Sequence, residues 1–324
     1  MNGFVDTAKI LAPNNILVFL IIAALSAILT RILLRNLNYF LMDKGIFGID
    51  INKPNKPKIP EEGGISIVIA FVFSLFLFKY FFQIQWISLI IITTILISLI
   101  GFIDRVRNIK PFPKFTYCAI VGSVYSISYL QNPNFNIIYA LLFLFLGSIF
   151  YSVLVNAFNL LAGFNGLESG VTIISSMALG IFFSFKGLYG AAGVLFLMAT
   201  AYFVFWQLNK YPAQIFLGDS GTLVPASVYF GLAIVTTFWL PIIIVLAPHL
   251  LNAAIKFAST GISSRSDHQP LVFKQGKLYL PEKNYCSLIR LFLLTGPKSE
   301  KAIVYYVYAI ESFFCFLLIL LFRH

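Results

Sequence analysis

Stretches of about twenty apolar residues recur along this chain, starting with Ile16 to Leu34 and returning at Gly64 to Phe82 and at Trp86 to Ile103. A segment of that length and character is stable in the hydrocarbon core of a bilayer, which about 20 helical residues cross. In hydrocarbon no backbone N–H or C=O can remain unpaired, so the runs must be helices or strands of a closed barrel, and their length selects helices. Read between turn and charge signals, the remaining runs are Phe115 to Leu130, Asn136 to Val155, Gly170 to Phe185, Leu188 to Gln207, Thr222 to Phe238, Leu240 to Ile255 and Ala302 to Phe322. The expected fold is an all-α integral membrane protein, a bundle of about ten transmembrane helices forming one domain over residues 1–324. Only 11% of residues are charged, against about 25% in soluble domains, which argues against two soluble domains.

The first run follows a polar start containing Asp6 and Lys9, with no basic leader and no small-residue cleavage site, and is expected to be retained as a span. Cys118, Cys286 and Cys315 lack the paired spacing of a zinc site or redox motif and read as packing residues.

Alternate connections collect the charge. Residues 31–63, 104–114, 156–169, 208–221 and 256–301 fall on one side and hold 19 of the 23 Lys and Arg residues, which makes that side cytoplasmic by the positive-inside rule. All acidic residues except Asp6 and Glu311 lie there too, which an orientation signal does not require. The net charge of +11 then reflects orientation and contact with anionic headgroups or phosphates, not nucleic acid.

Three acids sit where spans meet this face: Asp104, Glu168 and Asp219. Beside an Asn-rich turn they offer oxygen ligands suited to a hard cation such as magnesium next to phosphate; they equally suit solvated loops or helix N-termini. The segment NAFNLLAGFNGLESG from Asn156 to Gly170 combines amides with glycines, the features of a polar turn or of a backbone approached by a ligand. FLGD at Phe216 to Asp219 sets an aromatic face three residues from a carboxylate, an arrangement that suits a nucleotide or an interfacial anchor. The segment DINKPNKPKIPEEGG from Asp50 to Gly64 reads by itself as a proline-stiffened, solvated connector.

Together these segments resemble the polyprenyl-phosphate N-acetylhexosamine-1-phosphate transferases, and most closely their archaeal and eukaryotic dolichyl-phosphate branch. The resemblance spans almost the whole chain. It rests on D-x-N-K and I-P-E at Asp50 to Gly64, G-F-x-D at Gly101 to Asp104, the Asn156 to Glu168 string, FLGD, and G-K-L at Gly276 to Leu278. It implies transfer of N-acetylglucosamine 1-phosphate from UDP-N-acetylglucosamine to dolichyl or another polyprenyl phosphate, with release of UMP, as the first membrane step of lipid-linked glycan assembly for protein N-glycosylation.

By motif position, Asn159 and Asp219 would ligate magnesium, with manganese as a substitute, and Asp104 would belong to the catalytic set with Asp219. Asn165 and Phe216 would hold uracil, Lys114 would contact phosphate, and Glu61 would organise the polar site. Glu168, Arg265 and His268 complete the implied substrate contacts. The membrane implied is an archaeal plasma membrane in preference to endoplasmic reticulum, with membrane lipids as surroundings and a homodimer allowed.

Two departures stand out. Where the family commonly has paired aspartates, this chain has Asp104 followed by Arg105. A phosphate monoester is already largely dianionic near neutrality, so a dedicated base is dispensable, and Arg105 is expected to bind phosphate instead. In the final loop, Ser266, Asp267 and His268 stand where the dolichol branch carries Arg-His-Arg, which leaves Arg265, His268 and Lys274 to replace the charge. Two alternatives stay open: a catalytically impaired homologue, and a transporter or flippase of lipid-linked sugars. The second is disfavoured because the acids cluster at one interface and not at the midplane.

Overall fold

The computed structural model describes residues 13–130, 136–261, 269–282 and 285–322. Long helices dominate, and the only sheets among the described residues are two hairpins of three-residue strands. In chain order come α1 (Pro13–Asp43), β1 (Phe47–Ile49), β2 (Lys58–Pro60), α2 (Gly64–Phe82), α3 (Ile87–Arg107), α4 (Pro111–Leu130), α5 (Ile137–Leu160), α6 (Leu167–Phe185) and α7 (Tyr189–Asn209). They are followed by α8 (Asp219–Thr222), α9 (Val224–Thr236), α10 (Trp239–Thr260), β3 (Val272–Lys274), β4 (Lys277–Tyr279), α11 (Leu288–Leu293) and α12 (Glu300–Phe322).

Among the described residues, eight helices are long and apolar enough to cross a membrane: α1, α2, α3, α5, α6, α7, α10 and α12. Their outward residues are apolar, as lipid requires: Leu17, Leu20 and Ile28 on α1, and Phe313, Phe316 and Leu320 on α12, are all exposed. The expectation of about ten spans therefore holds approximately. Of the two remaining segments, α4 mixes serine and tyrosine among its apolar residues, and α9 has 13 residues, every one buried. A helix apolar all round is surrounded by protein, and α9 packs against α3, α5 and α10. Pro225 at its start and left-handed Thr237 at its end set its length.

Several polar side chains inside the bundle pair with one another. Tyr151 donates to Ser227 Oγ at 2.8 Å, and the Tyr229 hydroxyl lies 2.6 Å from Ser175 Oγ. Glu311, one of the two acids outside the charge asymmetry, is fully buried on α12 with a carboxylate oxygen 3.5 Å from Nε2 of His249 on α10, whose ring stacks on Phe158 at 4.1 Å.

One end of the bundle gathers the polar elements. Gly101 of α3 lies directly against the backbone of Asp219 and Ser220, where any Cβ would collide, so its lack of a side chain lets α3 touch α8. The antiparallel β1–β2 hairpin pairs Phe47 with Pro60 and Ile49 with Lys58. FLGD docks on it: Phe216 N donates to Pro60 O at 2.8 Å, and Gly63 N donates to Phe216 O at 2.9 Å. The segment expected to be a solvated connector is thus partly built into the protein: Asp50, Lys53 and Glu62 are buried where they pair with groups on other loops, and Asn52 is buried beside them with its N donating to Asp50 Oδ1 at 3.2 Å.

Candidate active site

Four helix ends meet around Lys114. Asp104 ends α3, Lys114 opens α4, Asn159 ends α5 and Asp219 begins α8. Lys114 Nζ lies 2.7 Å from Asp104 Oδ2 and is also ion-paired with Asp219 Oδ2. Asp104 is held by its own turn, its Oδ1 accepting from Ile109 N at 2.9 Å. Asn159 Nδ2 donates to Asp219 Oδ2 at 3.3 Å while its Oδ1 accepts from Thr222 Oγ1 at 2.8 Å. One ammonium between two carboxylates leaves local negative charge, which favours a cation, and keeps a positive group where an anion would bind.

Asp219 presents carboxylate oxygens, and Asn159 brings its own oxygen beside them once its amide turns, since its NH2 faces Asp219 and its Oδ1 accepts from Thr222. Two such hard donors are as many as magnesium usually takes from a protein when phosphate and water complete its shell. No three His, Cys, Asp or Glu side chains among the described residues form a self-contained metal cage. The donor set fits a metal that arrives with phosphate.

A second group surrounds the hairpin. Arg105 Nη2 pairs with Glu61 Oε2 at 2.8 Å and donates to Phe47 O at 2.7 Å. Gly48 exposes its backbone to both Glu61 and the Phe216 ring; a Cβ there would stand 3.0 Å from each. Arg105, which the sequence assigns to phosphate, therefore ties α3 to the hairpin in this arrangement, while its side chain stays 37% exposed.

Asn165 belongs to a third group. Its Nδ2 donates to Asp50 Oδ2 at 3.0 Å and its backbone N to Glu300 Oε1 at 2.8 Å. Lys53 ion-pairs with Asp50 at 3.1 Å and with Glu300. Glu168, in the first turn of α6, accepts from Gly163 N at 2.8 Å and so braces the turn that carries Asn165. Arg265 and His268, together with Ser266 and Asp267, lie outside the described residues.

Sequence reasoning missed Glu62, Thr222, Lys53 and Glu300 as parts of this face. Glu62 is fully buried and accepts from Ser220 N at 3.2 Å, next to Asp219. Burial, with Asp219 and Glu61 nearby, pushes its carboxyl up to about 7 against the opposing hydrogen bonds from Ser220. Its signal was the doubled acid in EEGG. Glu300 has no local signal at all.

Residues 86–237 match the model of glycosyl transferase family 4. A provisionally named glycosyltransferase of Methanocaldococcus jannaschii is 32% identical over 303 residues, covering 93% of this chain and 94% of the relative. A provisionally named UDP-N-acetylglucosamine–dolichyl-phosphate N-acetylglucosaminephosphotransferase of Saccharolobus solfataricus is 30% identical over 85% of this chain and 87% of its own length. The protein of the same name from Dictyostelium discoideum is 25% identical over 80% of this chain and 77% of its own. With relatives matched over nearly its whole length, and with the membrane bundle and polar helix ends described above, the chain belongs to glycosyl transferase family 4 and is a multi-pass membrane transferase.

Proposed function

We propose that this chain transfers N-acetylglucosamine 1-phosphate from UDP-N-acetylglucosamine to dolichyl or another polyprenyl phosphate, at the cytoplasmic face of an archaeal plasma membrane. The observation that carries the reading is Lys114 held between Asp104 and Asp219 at the polar end of a membrane bundle, beside Asn159. The names of the relatives support the same substrates.

The acceptor lipid is too apolar to leave the bilayer and the nucleotide too charged to enter it, so the reaction belongs at their boundary. An oxygen of the lipid phosphate attacks the sugar-bearing phosphorus, forming the new P–O bond. The bond from that phosphorus to the bridging oxygen breaks, and UMP leaves with the electron pair. Lys114 counters the negative charge of the transferring group, and its two carboxylates fix its ammonium in place. Asn159 and Asp219 would hold magnesium, which when bound neutralises the diphosphate and stabilises departing UMP. Phe216 stacks on the uracil, Asn165 hydrogen-bonds it, and Glu168 braces the turn behind it. Arg105, together with Arg265 and His268, adds charge toward the phosphates. The product is a lipid-linked pyrophosphoryl sugar, the first intermediate of glycan assembly for N-glycosylation.

The test is UMP release by the purified protein with UDP-N-acetylglucosamine, dolichyl phosphate and magnesium. Release that needs the lipid, the metal and Asp219, and vanishes in Asp219→Ala, is the expected result. Release that persists without the lipid phosphate or in Asp219→Ala overturns the assignment.

A further inference from the structure

Glu300 takes no part in the chemistry just described, yet it is 4% exposed and joined to two other loops. It opens α12, and its two oxygens serve two partners: Oε1 accepts from the backbone N of Asn165 at 2.8 Å, and Oε2 pairs with Lys53. Lys53 continues to Asp50 Oδ2 at 3.1 Å, and Asp50 Oδ2 accepts from Asn165 Nδ2 at 3.0 Å. The four residues therefore close a ring that grips Asn165 by its backbone and by its side chain. The Lys53 ammonium lies over the Tyr211 ring at 4.1 Å, which closes that side of the ring. A second contact from α12 braces the next residue, Tyr308 donating to Gly166 O at 2.5 Å while accepting from Trp206 Nε1 at 3.1 Å.

This ring decides which way the Asn165 amide points. Asp50, ion-paired to Lys53, can only accept hydrogen bonds, so it must face the NH2 end. Asn165 is left with its Oδ1, which accepts no hydrogen bond from the described residues. An acceptor there matches the N3–H of uracil and opposes the N3 lone pair of cytosine. A site built to take a hydrogen bond from its ligand rejects an analogue that cannot give one.

We propose that Glu300 is a positioning residue that, through Lys53 and Asp50, fixes Asn165 as an acceptor toward the nucleobase and so sets the preference for a uracil over a cytosine nucleotide. The inference rests on the uridine nucleotide reading given above. It makes the start of the last helix part of nucleotide selection, although Glu300 itself touches no substrate. Without the Glu300 carboxylate, Lys53 is shared with Asp50 alone and the Asn165 backbone loses its acceptor, so the amide can turn and present either end.

The experiment measures UMP and CMP as competitors of UDP-N-acetylglucosamine, with the full-length protein in detergent and magnesium, for the parent, Glu300→Ala and Glu300→Gln. A single hydrogen bond is worth about tenfold in binding, so the parent prefers UMP and Glu300→Ala loses about tenfold of that preference. The KM for the donor rises with it, while kcat stays within about threefold. Glu300→Gln, which keeps an acceptor for the Asn165 backbone, recovers part of the preference, and it carries the test by itself if the alanine variant does not fold. A purely structural role would move both nucleotides alike. An unchanged UMP-to-CMP ratio in folded Glu300→Gln and Glu300→Ala, with the parent active, overturns the role of Glu300 and leaves the transferase reading intact. A parent that binds neither nucleotide and releases no UMP overturns both.

Discussion

Two lysines at the polar end of this bundle are each held between two carboxylates, and they differ in how far the protein closes over them. Lys114 lies between Asp104 and Asp219 with side chains 11%, 15% and 14% exposed. Lys53 lies between Asp50 and Glu300 with side chains 9%, 5% and 3% exposed. The first set is brought together by helix ends and keeps an edge for an anion. The second is a closed ring whose hydrogen bonds are directed at Asn165, so the same charge pattern serves chemistry in one place and alignment in the other. A carboxylate–lysine cluster is therefore read by what its remaining valences face, not by its composition.

The comparison breaks most visibly at Asp219. Asp219→Asn removes a charge from the open set, and turnover should fall by at least about 1000-fold with the unfolding temperature little changed. Lys53→Met acts on the closed set and strands two buried carboxylates. The expected loss is about 3 kcal/mol of stability, read by thermal unfolding in detergent.

Glu62, which accepts from Ser220 N next to Asp219, gives a pH signature. Its folded pKa of about 7 lies above the ordinary value of 4.5, so the folded chain keeps a proton that the unfolded chain releases in that interval. This contribution is complete below 4.5 and declines as pH rises through 7. In metal-free buffer the unfolding temperature should drop across that window, by the equivalent of about 3 kcal/mol, and Glu62→Gln should flatten the drop. The smallest effect belongs to Arg105→Asp, which cuts the tie from α3 to Glu61 and Phe47. Turnover should fall by less than about tenfold. A large gain in turnover would contradict a phosphate or tethering role.

Much of this was legible in the sequence because hydrocarbon imposes its own length and pattern on a helix. The runs at Gly64 to Phe82 and Trp86 to Ile103 recur nearly unchanged as α2 and α3. Thr222 to Phe238 read as a span because apolar character alone does not distinguish lipid from protein surroundings, and α9 is enclosed by protein. Asp104 and Asp219 stood out because each lies at the end of an apolar run, whereas Lys114 and Asn159 were named only through the family resemblance, and the fold brings the four together. Glu300 was invisible for the converse reason. Its partners, Asn165 and Lys53, lie 135 and 247 positions away, and no local pattern marks a pairing of that kind.

The most direct test of the division between the two lysines is steady-state kinetics with UDP-N-acetylglucosamine as the varied substrate, run on Lys114→Met and Lys53→Gln below their unfolding temperatures. Lys114→Met should lower kcat about 100-fold with KM within about threefold, and Lys53→Gln should raise KM about tenfold with kcat within about threefold. The same kcat loss in both variants, with KM unchanged in each, would contradict it.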